Sequence, residues 1–263
     1  MPATPPRSYP YLHSEVPLAF AHRGGAKYAP NLRIENSMRA FANAVALGYR
    51  YLETDVHATS DGVLLAFHDD HLDRVTDRAG QIADLPYAEV ARARIDGREP
   101  IPTLEEILGT WPDARVNIDV KHANAIRPLA EAIARTAAHD RVCVSSFSGA
   151  RLAATRRLLG PRVATGLAPV GVGLLKLPLP RFLGSLLVGP APCVQVPTGY
   201  RGLRVVTRAF VDRAHALGKQ VHVWTIDDPD EMTALLDLGV DGLISDRIDT
   251  LREVLLVRGV WTS

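Results

Sequence analysis

Cysteine is nearly absent from this 263-residue chain: Cys143 and Cys193 stand far apart, each among apolar neighbours. A disulfide-stapled fold is thereby excluded. The pair reads as two buried free thiols of a cytoplasmic protein, kept reduced by its compartment. Neither sign of charge prevails, since 30 Lys and Arg oppose 29 Asp and Glu for a formal net charge of +1. A nucleic-acid partner, which demands a basic excess, is not expected. No apolar run approaches the ~20 residues of a transmembrane helix, and no short repeat or low-complexity tract occurs. Residues 1–17 carry five prolines (Pro2, Pro5, Pro6, Pro10, Pro17) and no apolar core of a signal peptide. They are expected to form an extended arm ahead of a barrel domain spanning 18–263.

The remainder has ordinary globular composition, 47% hydrophobic and 22% charged, and is long enough to bury a full core without staples. Short apolar runs alternate with helical patterns. Strands are expected at 18–22, 51–57, 116–120, 142–146, 163–167, 193–196, 220–225 and 242–245. Helices are expected near 36–47, 124–138, 148–159, 207–217, 229–238 and 247–257. The first of these helices has Asn36 or Ser37 as its cap and Gly48 as its stop. Strand-then-helix repetition implies a parallel sheet, and eight such strands at this length imply an α/β protein with a closed (β/α)8 TIM barrel, a doubly wound open sheet being the rival. After the second strand, Thr59-Ser60-Asp61-Gly62-Val63 signals a β-hairpin rising past the C-terminal rim, with Asp-Gly as its two-residue loop. Paired positions would then sum to 123, setting Asp55 directly opposite His68.

Chemistry-bearing residues gather at the same strand ends. His22-Arg23-Gly24 closes the first apolar run. Glu53 and Asp55, two apart on a strand, share a face. Buried together they repel, and a hard oxygen-seeking cation, Ca²⁺ or Mg²⁺, relieves that cost. Asp119 repeats the device on the next barrel strand as a third carboxylate, and Lys121 one pleat higher reaches for a phosphate oxygen. His22 and His68 are the candidate acid and base, because an imidazole both gives and takes a proton near neutrality. Arg23 offers a forked donor to phosphate, and Gly24 and Gly25 allow a left-handed turn or close backbone approach. Glu35 either orients Arg23, approaches the metal or, with Asn36, simply starts the helix. Trp224 walls the pocket or packs in the core. His57 is a weak outsider, His222 reads as packing, and Asp246 reads as a helix cap rather than as part of the chemistry.

Taken in order, these pieces resemble the glycerophosphodiester phosphodiesterase family: His22-Arg23-Gly24, Glu35-Asn36-Ser37, Glu53-Thr54-Asp55-Val56, Asp61-Gly62 leading to His68-Asp69, Ile101-Pro102-Thr103-Leu104, Asp119-Val120-Lys121, Ser146-Phe147, Trp224-Thr225-Ile226-Asp227, and Asp241-Gly242-Leu243-Ile244 to Asp246. The resemblance implies a barrel hydrolase that splits glycerophosphodiesters into glycerol 3-phosphate and an alcohol. It makes His22 and His68 the acid–base pair and Glu53, Asp55 and Asp119 the ligands of one divalent metal ion. Arg23 and Lys121 become the phosphate clamps. The chain departs from the family pattern at Asp119, where Glu is usual, at Ile34, where Pro is frequent, and at Asp227, where Asn is frequent. Residues 163–200 are apolar and rich in Pro and Gly. They read either as a connection packed on the barrel or as a lipid-facing lip, which would favour lysophospholipids as substrates and peripheral membrane contact. A non-catalytic phosphate-binding barrel is the reading from another functional class.

Overall fold

The computed structural model describes residues 9–262. Eight parallel strands form its core: β1 Leu18–His22, β2 Tyr51–Ala58, β3 Arg115–Val120, β4 Val142–Ser145, β5 Ala164–Thr165, β6 Cys193–Val196, β7 Gln220–Val223 and β8 Gly242–Ser245. Each pairs with its neighbour in chain order, and β8 returns to β1, with Leu18 opposite Gly242 and Phe20 opposite Ile244. A parallel bridge between Gly166 and Cys193 joins β5 to β6 and completes the ring. The expected (β/α)8 barrel is therefore the fold. All eight residues of β2 are buried, as befits a strand with helices on one side and the barrel interior on the other.

The surrounding helices seat where apolar periodicity places them. Helix α1 Met38–Ala46 buries Phe41 and Ala44 and starts at Ser37, whose hydroxyl accepts from Ala40 N at 3.1 Å. Ser37, and not Asn36, is thus its cap. Helix α2 Leu104–Thr110 opens on a capping box made by Thr103 and Glu106, which satisfies two otherwise orphaned backbone donors. The ring continues with α3 Ile126–Arg135, α4 Gly149–Leu159, α5 Pro169–Lys176, α6 Arg181–Leu187, α7 Arg208–Ala216, α8 Pro229–Asp237 and α9 Ile248–Val257. Leu52, Val56, Ile118, Leu129 and Ile133 belong to the core between sheet and helices. Each contributes about 1.5–3 kcal/mol by leaving water.

Two expectations about local structure fail. Residues 1–8 lie outside the described part, but Pro10–Leu12 form a 3₁₀ turn with Tyr11 and Leu12 buried. Tyr11 packs its ring on Tyr51 and accepts the Tyr51 hydroxyl proton at its carbonyl, 2.7 Å. From Tyr9 onward the Pro-rich segment is a plug under the barrel and not an extended arm, because Tyr11 fills the apolar end of the ring beside Phe20 and Cys143.

The second concerns register. The short strand Leu64–Ala66 runs antiparallel to β2, pairing Val56 with Ala66 and Ala58 with Leu64, so positions sum to 122 and not 123. Phe67 N donates to Asp55 O at 2.9 Å, which sets Phe67, and not His68, opposite Asp55. The loop has three residues rather than two: Thr59 N donates to Val63 O, and Gly62 takes φ 86°. Its chemistry explains the slip. Asp61 accepts the Thr59 hydroxyl at 2.6 Å and Tyr87 N at 2.9 Å, favouring a turn closed by a left-handed Gly. The segment beyond packs as a separate apolar cluster of Ile34, Leu65, Phe67, Leu72, Ile82 and Ile95, which anchors the chain on both sides of His68.

Candidate active site

The C-terminal ends of β1, β2 and β3 bring the charged groups together on two levels. His22 lies beside Glu53 in the β1–β2 register, and Asp55 beside Asp119 in the β2–β3 register. The turn after His22 needs Gly24, at φ 82°: a Cβ there would stand 2.8 Å from the Ala40 Cβ. This tight packing on α1 folds Arg23 back so that its backbone N donates to Glu53 Oε2 at 3.1 Å.

Both histidines are held by a carboxylate. His22 Nδ1 lies 2.6 Å from Asp246 Oδ1 and its Nε2 3.7 Å from Glu53 Oε2. Burial works against the imidazolium, but the charge on Glu53 and the bond to Asp246 outweigh it and raise the His22 pKa. His68 Nδ1 lies 2.6 Å from Asp69 Oδ1. Its backbone carbonyl lies 3.0 Å from Nε2 of buried His57, so His57 braces the main chain at His68. His222 is fully buried among Gln195, Gln220 and Phe20, and burial lowers its pKa to about 3, which confirms it as packing.

Cations hold the carboxylates in turn. Lys121 Nζ bridges Asp55 Oδ1 at 2.7 Å and Asp119 Oδ2 at 2.8 Å. Arg23 reaches Glu35 Oε1 at 3.1 Å and stops 3.5 Å from Asp55 Oδ2. Glu35 is thus paired with Arg23 and does not start the helix. Asn36 accepts the Thr54 hydroxyl at 2.8 Å, and its side-chain nitrogen, like Arg23 Nε and Asp55 Oδ2, is buried without a hydrogen-bond partner. Burial and the neighbouring Asp55 push Glu53 up to about 7. Burial also raises Asp119, against the pull of Lys121. Asp55 goes the other way: burial is overcome by Lys121, Arg23 and His68, and its pKa is lowered. At the mouth, Trp224 is partly buried and meets the exposed Phe147 edge-on at 5.7 Å, and Lys121 lies over the Phe147 ring.

Three participants escaped the sequence reading. Asp246 is no cap; Asp227 Oδ1 takes the backbone N–H groups of Asp246 and Arg247 instead, leaving Asp246 free for His22. Arg74 ties the two halves of the site together, with Nη2 2.6 Å from Glu35 Oε1 and Nε 2.5 Å from Asp69 Oδ2. Phe147, a motif residue with no role legible in the sequence, stands against Trp224 and Lys121. Beside Glu35 and Arg74 opens a polar cavity of about 540 Å³, lined also by Arg33, Thr76, Asp77 and Asp96.

Glu53, Asp55 and Asp119 have the chemistry of a hard-cation site. Among the described residues no three His, Cys, Asp or Glu side chains are arranged to enclose an ion. The Lys121 ammonium stands between Asp55 and Asp119. The unpartnered Asp55 oxygen and the reluctance of Glu53 to ionise both express a demand for positive charge, and in that sense the donors fit a divalent ion.

The raised pKa values have a consequence for stability without divalent ions. Glu53 ionises less readily folded than unfolded, so its contribution is full below about 4.5 and is lost as pH rises to about 7. His22, raised from 6.5, contributes fully below that value and loses its contribution as pH rises through the folded pKa. Both act in one direction. The thermal midpoint of metal-free protein is expected to fall by a few degrees between pH 5.5 and pH 8. In scanning calorimetry Glu53→Gln removes the larger part of that slope; an unchanged slope contradicts the assignment.

The chain is similar to known proteins in sequence and in fold. Residues 22–250 match the model of the glycerophosphoryl diester phosphodiesterase family. The chain is 44% identical over 250 residues to a Mycobacterium tuberculosis protein named probable glycerophosphodiester phosphodiesterase 2, covering 93% of this chain and 92% of that one. A solved chain from Silicibacter pomeroyi superposes with a TM-score of 0.80 at 23% identity, covering 97% of this chain and 100% of that one. An Oleispira antarctica phosphodiesterase, solved in complex with the product sn-glycerol-3-phosphate, gives 0.75 at 24% identity over 91% and 97% of the two chains. With its barrel, its paired histidines and a family match running from His22 through α9's first residues, the chain belongs to the glycerophosphoryl diester phosphodiesterase family.

Proposed function

We propose that the protein hydrolyses glycerophosphodiesters to glycerol 3-phosphate and an alcohol, with His22 and His68 as acid and base. The observation that carries this reading is the meeting, at one barrel rim, of two carboxylate-held imidazoles with two cations. Asp246 and Glu53 favour the imidazolium of His22, which suits it to protonate the departing alkoxide. His68, steadied by Asp69, takes the proton of the attacking hydroxyl. Arg23 and Lys121 offset the charge that grows on the phosphoryl oxygens in the transition state. Glu53, Asp55 and Asp119 would hold a divalent ion, Ca²⁺ or Mg²⁺, which supplies additional neutralisation of a phosphate oxygen.

The cavity beside Glu35 and Arg74 is lined by charged and hydroxyl groups. That lining suits a hydrophilic alcohol and not an acyl chain, so water-soluble glycerophosphodiesters are favoured over lysophospholipids. A coupled assay for glycerol 3-phosphate tests both points, run over glycerophosphocholine, glycerophosphoethanolamine and lysophosphatidylcholine with and without chelator. Turnover of the first two and its loss on chelation are expected. Faster release of head group from the lysolipid overturns the substrate reading, and no turnover of any diester overturns the activity.

A further inference from the structure

Charge is balanced over the whole chain but not along it. Between Asp140 and Asp212 there is no acid, while ten Lys and Arg fall in that interval. The same stretch exposes apolar groups out of proportion: more than half of the large exposed apolar side chains among the described residues lie between 170 and 203. They sit on α5, on α6 and on a two-stranded hairpin in which Gly199–Tyr200 pairs with Leu203–Arg204. Val170 is 77% exposed, Phe182 71%, Leu186 76%, Tyr200 61% and Leu203 66%. Arg201 and Gly202 form the hairpin tip, both with positive φ, a tight turn that holds Tyr200 and Leu203 side by side.

These pieces form one surface. Lys176, at the end of α5, donates to the Arg204 carbonyl at 3.0 Å, and Arg213 of α7 donates to the Leu175 carbonyl at 2.7 Å. A shallow groove between them is lined by Leu174, Leu177, Leu179 and Leu217, with Arg181 and Arg213 also on its wall. The hairpin and both helices follow the C-terminal ends of β5 and β6, the rim that carries the active site.

We propose that this surface docks the protein on bilayers containing anionic phospholipid, with α6 and the hairpin seated among the head groups. Apolar tips alternate with cations along a stretch of chain that holds no acid from 141 to 211, which complements a negatively charged sheet with an apolar layer beneath it. Tyr200, capped by the Arg201 guanidinium at 5.4 Å, has the amphipathic form that interfaces favour. No described helix is long and apolar enough to cross a membrane; the docking proposed is at the surface of the bilayer. The proposal does not rest on the catalytic reading.

Sedimentation of the full chain with vesicles tests it, using phosphatidylglycerol mixed with phosphatidylcholine against phosphatidylcholine alone. Binding to the anionic vesicles that weakens with salt is expected. Arg201→Glu with Arg204→Glu should weaken it about 30-fold, at roughly fivefold per basic side chain near the surface. Tyr200→Ser with Leu203→Ser should weaken it to a similar degree. All four positions are exposed, so thermal midpoints and turnover of a soluble diester should stay at wild-type values. Equal binding to both vesicle types, no binding to either, or unchanged binding of the variants overturns the proposal. So does a concentration-dependent dimer abolished by the same substitutions without vesicle binding, which would assign the surface to a second copy of the chain. A protein that binds vesicles but splits no diester leaves docking intact and removes only the catalytic reading.

Discussion

Alanine at either His22 or His68 lowers kcat on a glycerophosphodiester by about 10²–10⁴-fold, the usual worth of a positioned acid or base. The two losses have different signatures. His22 is wedged between Glu53 and Asp246, and its removal takes the imidazole from two buried carboxylates and leaves Asp246, among the described residues, only the more distant Lys27, so His22→Ala should also lose stability. His68 is more open and its partner Asp69 keeps Arg74, so His68→Ala should lose rate at nearly unchanged thermal midpoint. Asp246→Asn separates orientation from proton transfer: the amide preserves size but cannot stabilise the imidazolium. It should lower kcat and shift the basic limb of the pH–rate profile downward, because the hydrogen bond that Asp246 accepts from the ring helps to raise the His22 pKa. Stopped-time assays of purified variants across pH 5–9 decide the matter. Near-wild-type turnover in both histidine variants ends the acid–base assignment.

The parts of this site that the sequence displayed are those whose geometry is local. His22, Glu53 and Asp55 lie in or at the end of short apolar runs, where a two-residue strand period alone decides that Glu53 and Asp55 share a face. The barrel was legible for the same reason, as eight apolar runs, six of them followed by a helical period. What stayed hidden depends on distant closure or on side-chain competition. Asp246 is 224 residues from His22, and only ring closure between β8 and β1 makes them neighbours. Its position after a strand resembled a cap because nothing local revealed that Asp227 would take that work. The hairpin register turned on the Thr59–Asp61 bond, a side-chain detail that a count of Asp-Gly does not contain. Arg74 lies in a segment without period, and its bridging role follows from the cluster of Phe67, Leu72 and Ile82 that folds it back toward Glu35. Residues 169–187 hid two short helices, because their Pro and Gly content masks a helical period.

Asp55→Ala should abolish measurable turnover and destabilise the fold by about 3–5 kcal/mol, the cost of leaving buried charge without its partner. The argument is one of connectivity. Among the described residues Asp55 is the only side chain paired with both Lys121 and Arg23, and its own side chain is almost wholly buried. Without it the one carboxylate left to Lys121 among the described residues is Asp119, and to Arg23 it is Glu35, at the far end of its guanidinium. Two cations then lose their common counter-charge in a place that water reaches poorly. Glu53 would respond as well, since the charge on Asp55 is the second cause of its raised pKa. Its titration should move toward the ordinary carboxylate range and flatten the pH dependence of stability expected for the wild type. Asp119→Ala makes the control: Asp119 touches Lys121 but not Arg23, so it should cost less in urea unfolding than Asp55→Ala does. Equal costs for the two substitutions, or a midpoint for Asp55→Ala within a degree or so of wild type, would show that the paired cations are already satisfied by solvent and that the carboxylate between them does not organise the site.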